Sequence, residues 1–195
     1  MFPNYHGVFA SAFPFFGSAF TRQREPTPRD CCKREESIWA ITVIDSKRRS
    51  EIHPRPLLEL PLILLINKKH HLTSAKQLWS RDKIEETLIT FPRADTVQTH
   101  FQRGLERLGV EWFPGIEANS TRLIEHYVAN GYGVGATIGT PGFKPPRGVR
   151  VISLPSFPPV VVGAAWAGKL SPNAQQFLAE IEIEASAVKR GTKSL

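Results

Sequence analysis

The sequence predicts an α/β fold with a mainly parallel sheet, and three observations carry the prediction. Short continuous apolar runs alternate with amphipathic segments, polar capping residues stand at the junctions, and the composition is globular at 41% hydrophobic and 22% charged residues. The length of 195 residues suffices for one ordinary domain or two small lobes.

Met1–Phe20 holds six of the twelve Phe, with neither a helical nor an alternating period, and predicts no element. Thr21–Arg55 is rich in charge and Pro, with one alternating strand-like run at Ile38–Ile44; the composition changes near Pro56. Leu60–Ile66 is a branched apolar run suited to a strand covered on both faces, and Ser74–Ser80 predicts a short helix. Leu88–Phe91 is the next buried strand. Asp95, three residues before Gln98, forms a capping-box pattern for a helix with Val97, Phe101, Leu105 and Leu108 on one face and Gly109 at its end.

Ile116–Ala118 reads as a strand. Asn119 or Ser120 then caps a helix with Leu123, Ile124, Tyr127 and Val128 inward, stopped at Asn130-Gly131. Val134–Ile138 is the following strand. Beyond the Pro/Gly-rich turn of Thr140–Gly148, Val149–Leu154 and Val160–Trp166 are strands, and Ser171-Pro172 opens a final helix carrying Phe177, Leu178 and Ile181.

Lysine and arginine exceed aspartate and glutamate by seven, but the excess is divided as +3 over Met1–Arg55 and +4 over the rest, a diffuse bias with no basic stripe. The adjacent Cys31 and Cys32 form neither a stapling framework nor a CxxC metal pair, which suggests a reducing compartment and no zinc. Gly7–Phe20 is apolar but lacks a preceding Lys or Arg, is interrupted by Pro14 and is too short for a membrane span. A cytoplasmic protein with no membrane partner is expected.

Gly131-Tyr132-Gly133-Val134-Gly135 follows a helix and leads into a strand, the reverse of a dinucleotide fingerprint, so it reads as a helix C-cap followed by small residues that let a strand pass close to its neighbours. No cofactor is expected. His70-His71 reads as a surface loop, because consecutive residues of an extended chain point opposite ways and no carboxylate or Cys stands at ligand spacing; no metal site is expected. His126 lacks a nucleophile elbow beside it and reads as structural, and no catalytic residue is assigned. The candidate binding places are the helix N-termini after Leu88–Phe91 and after Ile116–Ala118. Their unpaired amides favour an anionic or hydrogen-bonding ligand, with Thr90, Arg93, Thr96, Asn119 and Ser120 around one crevice; the alternative is ordinary capping by Thr96 and Ser120.

Four segments resemble one family. The run from Leu58 through Pro61-Leu62-Ile63-Leu64-Leu65-Ile66-Asn67-Lys68-Lys69-His70-His71-Leu72 is similar to the "PL-x-LVVP-x-x-HPL" segment of LysR-type transcriptional regulators. Leu88-Ile89-Thr90-Phe91 resembles their "PLITF" strand, Tyr127–Gly135 their "YV-x-x-GLGIG" stretch, and Lys169–Leu178 their closing "LSPAAQAFL" helix. The order and spacing cover about Leu57–Ala185.

The resemblance implies a type-2 periplasmic-binding-protein fold, here one complete Rossmann-like lobe at about residues 60–149 plus a partial second lobe to which residues 160–187 return, within a partial effector-binding domain at 57–187. Residues 1–55 stay unassigned and are expected to be poorly ordered, and residues 188–195 form a tail. It further implies a small-molecule effector, polar or anionic, with Thr96 at the position where sulfur-metabolism regulators of the family use a threonine to hold an anionic effector. No match to a helix-turn-helix, a linker helix or most of the first lobe precedes Leu57, so no direct DNA binding is expected from this chain. The bare edge this leaves on Val160–Trp166 needs a cover, for which Ile38–Ile44 or another chain is a candidate. The implied function is effector binding without catalysis. The alternatives are a module pairing as a homo- or hetero-oligomer with regulator effector domains, through the exposed face of the Thr96–Leu108 helix, and a truncated gene product without a role.

Overall fold

The computed structural model describes residues 39–44 and 52–192. The chain forms β1 (Trp39–Val43), β2 (Ile52–Leu60), β3 (Leu62–Asn67), α1 (Lys76–Trp79), β4 (Leu88–Thr90), α2 (Thr96–Arg107), β5 (Pro114–Glu117), α3 (Thr121–Ala129), β6 (Val134–Ile138), β7 (Val149–Ser153), β8 (Val160–Ala167) and α4 (Pro172–Thr192). They build two sheets, one of three strands ordered β1-β8-β2 and one of five ordered β5-β4-β6-β3-β7. The readings of Met1–Phe20, Cys31 and Cys32 lie outside the described residues.

The chain passes from the small sheet to the large one at Pro61, between β2 and β3, and returns between β7 and β8. Proline has no amide hydrogen to give a ladder, so a change of sheet there costs no donor, and its carbonyl is used by the Gly139 amide at 2.8 Å. β3 then runs through the middle of the large sheet. Leu62, Leu64, Leu65 and Ile66 are fully buried, and burying each such side chain contributes about 1.5–3 kcal/mol.

The large sheet is mixed, where a mainly parallel one is expected from the sequence. β4 pairs parallel with β5 and β6, but β3 lies antiparallel to both β6 and β7. A continuous apolar run reports burial on both faces and carries no information on strand direction. The small sheet is antiparallel throughout. β2 spans the composition change at Pro56, which therefore does not mark an edge of the fold, and it carries Pro54 and Pro56 on an edge position where proline is tolerated.

Gly109 (φ +67°) and Gly131 (φ +79°) follow α2 and α3 in the left-handed region. The apolar faces read from the sequence hold with one correction. Leu108, expected inward, is 41% exposed because it is the C-cap of α2, where the chain turns away from the sheet. Phe177 is 47% exposed and meets Trp39 of β1 with ring centroids 5.2 Å apart; among the described residues of α4, Ala174 and Ala185 are buried. β1 covers the edge of β8, with Trp39 opposite Trp166 and Val43 opposite Val162. Among the described residues no helix is long and apolar enough to cross a membrane.

Candidate functional site

Parallel pairing aligns the carboxyl ends of β4 and β5, with Thr90 opposite Glu117. The Ala118 amide donates to the Thr90 carbonyl at 2.8 Å, so the loops leaving the two strands start side by side. Each loop ends at a capped helix. The Asp95 carboxylate accepts from the Val97 amide at 2.7 Å to open α2, and the Ser120 hydroxyl accepts from the Leu123 amide at 3.3 Å to open α3.

The predicted residues divide by depth. Thr90 is buried and donates its hydroxyl to Gln98 Oε1 at 2.8 Å, inside the molecule. Gln98 thus turns its side chain to the strand, where the capping-box pattern has it reaching back to the N-cap. Thr96, the first residue of α2, and Ser120 are half-buried, whereas Arg93 and Asn119 are exposed. Ser120, not Asn119, is the cap of α3.

Three further polar side chains at this end escape sequence reasoning. Gln98 is one; the others are Thr121 and the fully buried Thr137 of β6, whose hydroxyls lie 3.3 Å apart. A threonine inside an apolar strand gives no sign of which neighbour will meet it, so only the pairing of α3 with β6 discloses the bond. The more accessible groups, on Thr96, Asn119 and Ser120, are hydroxyls and an amide that do not titrate near neutrality and are chemically suited to hydrogen-bond a solute.

The electrostatics at the two helix ends differ. Burial raises the Asp95 carboxyl above its ordinary value of 3.8, opposed by the amides of Val97 and Gln98 that bond to it. That carboxylate already takes the first-turn amides of α2, so an anion is better accommodated toward Arg93 and the amino end of α3. A raised carboxyl binds more protons in the folded state, so its contribution favours the fold below 3.8 and is lost as pH rises through the raised value. Asp95→Asn keeps a good cap without the charge. Thermal melts across the acidic range should show a flatter stability profile in the variant above 3.8 than in the parent chain.

The His70-His71 pair departs from the extended surface loop read from the sequence. Asn67 ends β3 in a turn, its side chain accepting from the Lys69 amide at 2.9 Å and its carbonyl from the His70 amide at 2.9 Å. The turn stacks the two imidazoles with centroids 4.6 Å apart and brings Glu86 Oε1 to 3.8 Å from His70 Nε2. The carboxylate absent at ligand spacing in sequence is supplied by the fold. A concavity of about 550 Å³ that shares Glu86 with this cluster lies at the amino ends of β4 and β5, lined also by Ile84, Thr87, Trp112, Phe113 and Gly115, far from the strand ends that carry the predicted group.

Residues 39–185 match the family model described as the LysR substrate binding domain. Sequence comparison with curated proteins yields no match. The Synechocystis PCC6803 CcmR regulatory domain in complex with 2-PG is similar at a TM-score of 0.61 and 18% identity, over 74% of this chain and 73% of that one. The effector binding domain of QuiR in complex with shikimate gives 0.63 and 13%, over 76% and 72%. HinK, a LysR family transcriptional regulator from Pseudomonas aeruginosa, gives 0.58 and 18%, over 74% and 52%. The chain spans about half the length of the first regulators it resembles.

Proposed function

The chain belongs to the LysR substrate binding domain family, and from that premise we propose that it is an effector-binding unit that takes a small polar or anionic metabolite at the carboxyl ends of β4 and β5. The adjacency of the two loops, fixed by the bond from the Ala118 amide to the Thr90 carbonyl, is the observation that supports this reading. Thr96, Asn119 and Ser120 supply hydrogen bonds from the loop ends, Arg93 supplies charge, and Thr90 acts from beneath by holding Gln98. Binding requires no covalent step, consistent with a family of regulatory domains. The solved CcmR and QuiR domains carry 2-PG and shikimate, both small and oxygen-rich, which supports the ligand class.

A thermal-shift screen of oxygen-rich metabolites on the whole chain tests the proposal, because a ligand that binds only the folded state raises the melting temperature. A hit should lose its shift in Thr96→Ala and in Asn119→Ala, while the ligand-free melting temperatures stay close to that of the parent. A shift unchanged in both variants rejects the assignment. The other reading, pairing with regulator effector domains through α2, is favoured by exposed Leu108 at the end of that helix. It predicts co-purification with an intact regulator that Leu108→Lys abolishes and metabolites leave unaltered.

A further inference from the structure

The cluster after β3 is unused by the effector site, and its hydrogen bonds have an unusual polarity. His70 Nδ1 accepts from the Leu72 amide at 3.2 Å, and His71 Nε2 lies 3.0 Å from Arg81 Nη2. A backbone amide and a guanidinium can only donate, so both ring nitrogens must be unprotonated acceptors. The ligating atoms of His70, His71 and Glu86 all lie within 4.8 Å of one another, but Arg81 stands among them, its Nη2 at His71 Nε2 and its Nη1 holding Glu86 Oε1 at 2.7 Å. The guanidinium thus bridges His71 and Glu86.

We propose that this cluster is a pH-sensitive latch on the segment between β3 and β4: protonation of the stacked histidines ejects Arg81 and the Leu72 amide from their acceptors and loosens residues 68–87 while the sheet stays intact. Protonating His71 at Nε2 sets an N–H against a guanidinium, and protonating His70 at Nδ1 sets one against an amide hydrogen. The doubly charged pair would also be stacked ring on ring at 4.6 Å. The charged groups facing His70 are His71, Arg81, Arg150 and Glu86, and only the last favours its cation. Arg150, on β7, donates to the carbonyls of His70 and Leu72, so the same turn is fastened to the large sheet from its other side. Leu72 itself is fully buried.

The titration behaviour agrees with this geometry. Burial first, then His71, push the His70 imidazole below its ordinary value of 6.5, with Glu86 opposing. A base depressed in the folded state contributes stability above 6.5 that is lost as pH falls below it, because the unfolded chain takes up the proton first. Burial alone would raise Glu86, but its own backbone amide and Arg81 bring it below the usual carboxylate value, so it stays charged when His70 takes a proton.

Amide hydrogen exchange on the full chain, corrected for intrinsic rates, reads the latch directly. Between about pH 7.5 and about pH 5.5, the range in which histidine changes charge, protection at Leu72, Ser80 and Arg81 should fall about tenfold, as expected where a hydrogen bond that holds the segment is lost. Ile124 and Leu65 should keep theirs. The double variant His70→Asn, His71→Gln retains acceptors that do not titrate, and its residues 68–87 should exchange alike at both pH values. Protection in the parent that is independent of pH, or that falls equally over β3, α3 and the latch, overturns the proposal, as does an undiminished response in the double variant. If that variant does not fold, the contrast between segments in the parent chain decides alone.

Discussion

Gly133→Val is expected to destabilise the fold by several kcal/mol. A Cβ at this position would sit 2.1 Å from the Thr87 carbonyl oxygen and 3.0 Å from its carbon, and neither is the far end of a flexible side chain. The same oxygen accepts from the Val134 amide at 2.9 Å, one residue before Leu88 pairs with Val134 in the parallel ladder. Relief of the clash therefore separates β4 from β6 in the middle of the sheet. Overpacking alone costs about 1–3 kcal/mol and sometimes more; losing a ladder bond adds about 1 kcal/mol, against a domain stability of about 5–15 kcal/mol. Gly131→Asn is the control. Its φ of +79° suits asparagine and its Cβ would meet nothing within 4 Å, so its melting curve should stay close to that of the parent. Urea melts of the two variants check the pair, and similar midpoints would show that the Gly133 approach is not tight.

That contrast shows what kind of information the sequence holds. The glycine cluster is readable as a helix stop and a close crossing because both follow from the residue type alone. Caps and apolar periods place most elements for the same reason: Val134–Ile138 is a strand over those same residues, and Ser120 opens its helix. What depends on a distant partner is not readable. β2 escapes notice because Pro54 and Pro56 argue against a strand until β8 is seen beside it. The direction of β3 is set by β6 and β7 and leaves no trace in Leu62–Ile66. At the strand ends, the expectation of neighbouring loops follows from a general rule of α/β sheets, whereas the Thr90–Gln98 bond joins residues whose spacing equally fits a capping box. The stacking of the histidines is not legible where the chain after Ile66 reads as extended. Asn67, a turn former directly after an apolar run, was the local signal that it was not.

Removing residues 1–44, and with them β1, should lower the melting temperature and make the remaining chain self-associate. β8 is the middle strand of the small sheet, and β1 supplies one of its two neighbours over five residue pairs. Its Val160, Val162 and Ala164 belong to the core shared by both sheets, so a bare β8 would offer unpaired backbone groups along an apolar strand, the surface most prone to edge-to-edge association. Ile41 and Val43 pack against that core, and Trp39 meets Phe177 of α4. Side chains of this size contribute about 1.5–3 kcal/mol when fully buried; these are half-buried, so their joint loss should reach a few kcal/mol and lower the melting temperature by about 10 °C. Calorimetry reads the first effect and light scattering the second. Ala40→Lys with Thr42→Lys, on the outward face of β1, provides the matched control and should change neither. A truncated chain that stays monomeric with an undiminished melting temperature would show β1 to be dispensable. The family match begins at residue 39, where β1 begins, which argues the opposite: the strand belongs to the domain and not to the sequence before it. The same sheet receives the chain back from the large lobe, so a loosened β8 would also free the return segment after β7, and any ligand-induced thermal shift should shrink along with the melting temperature.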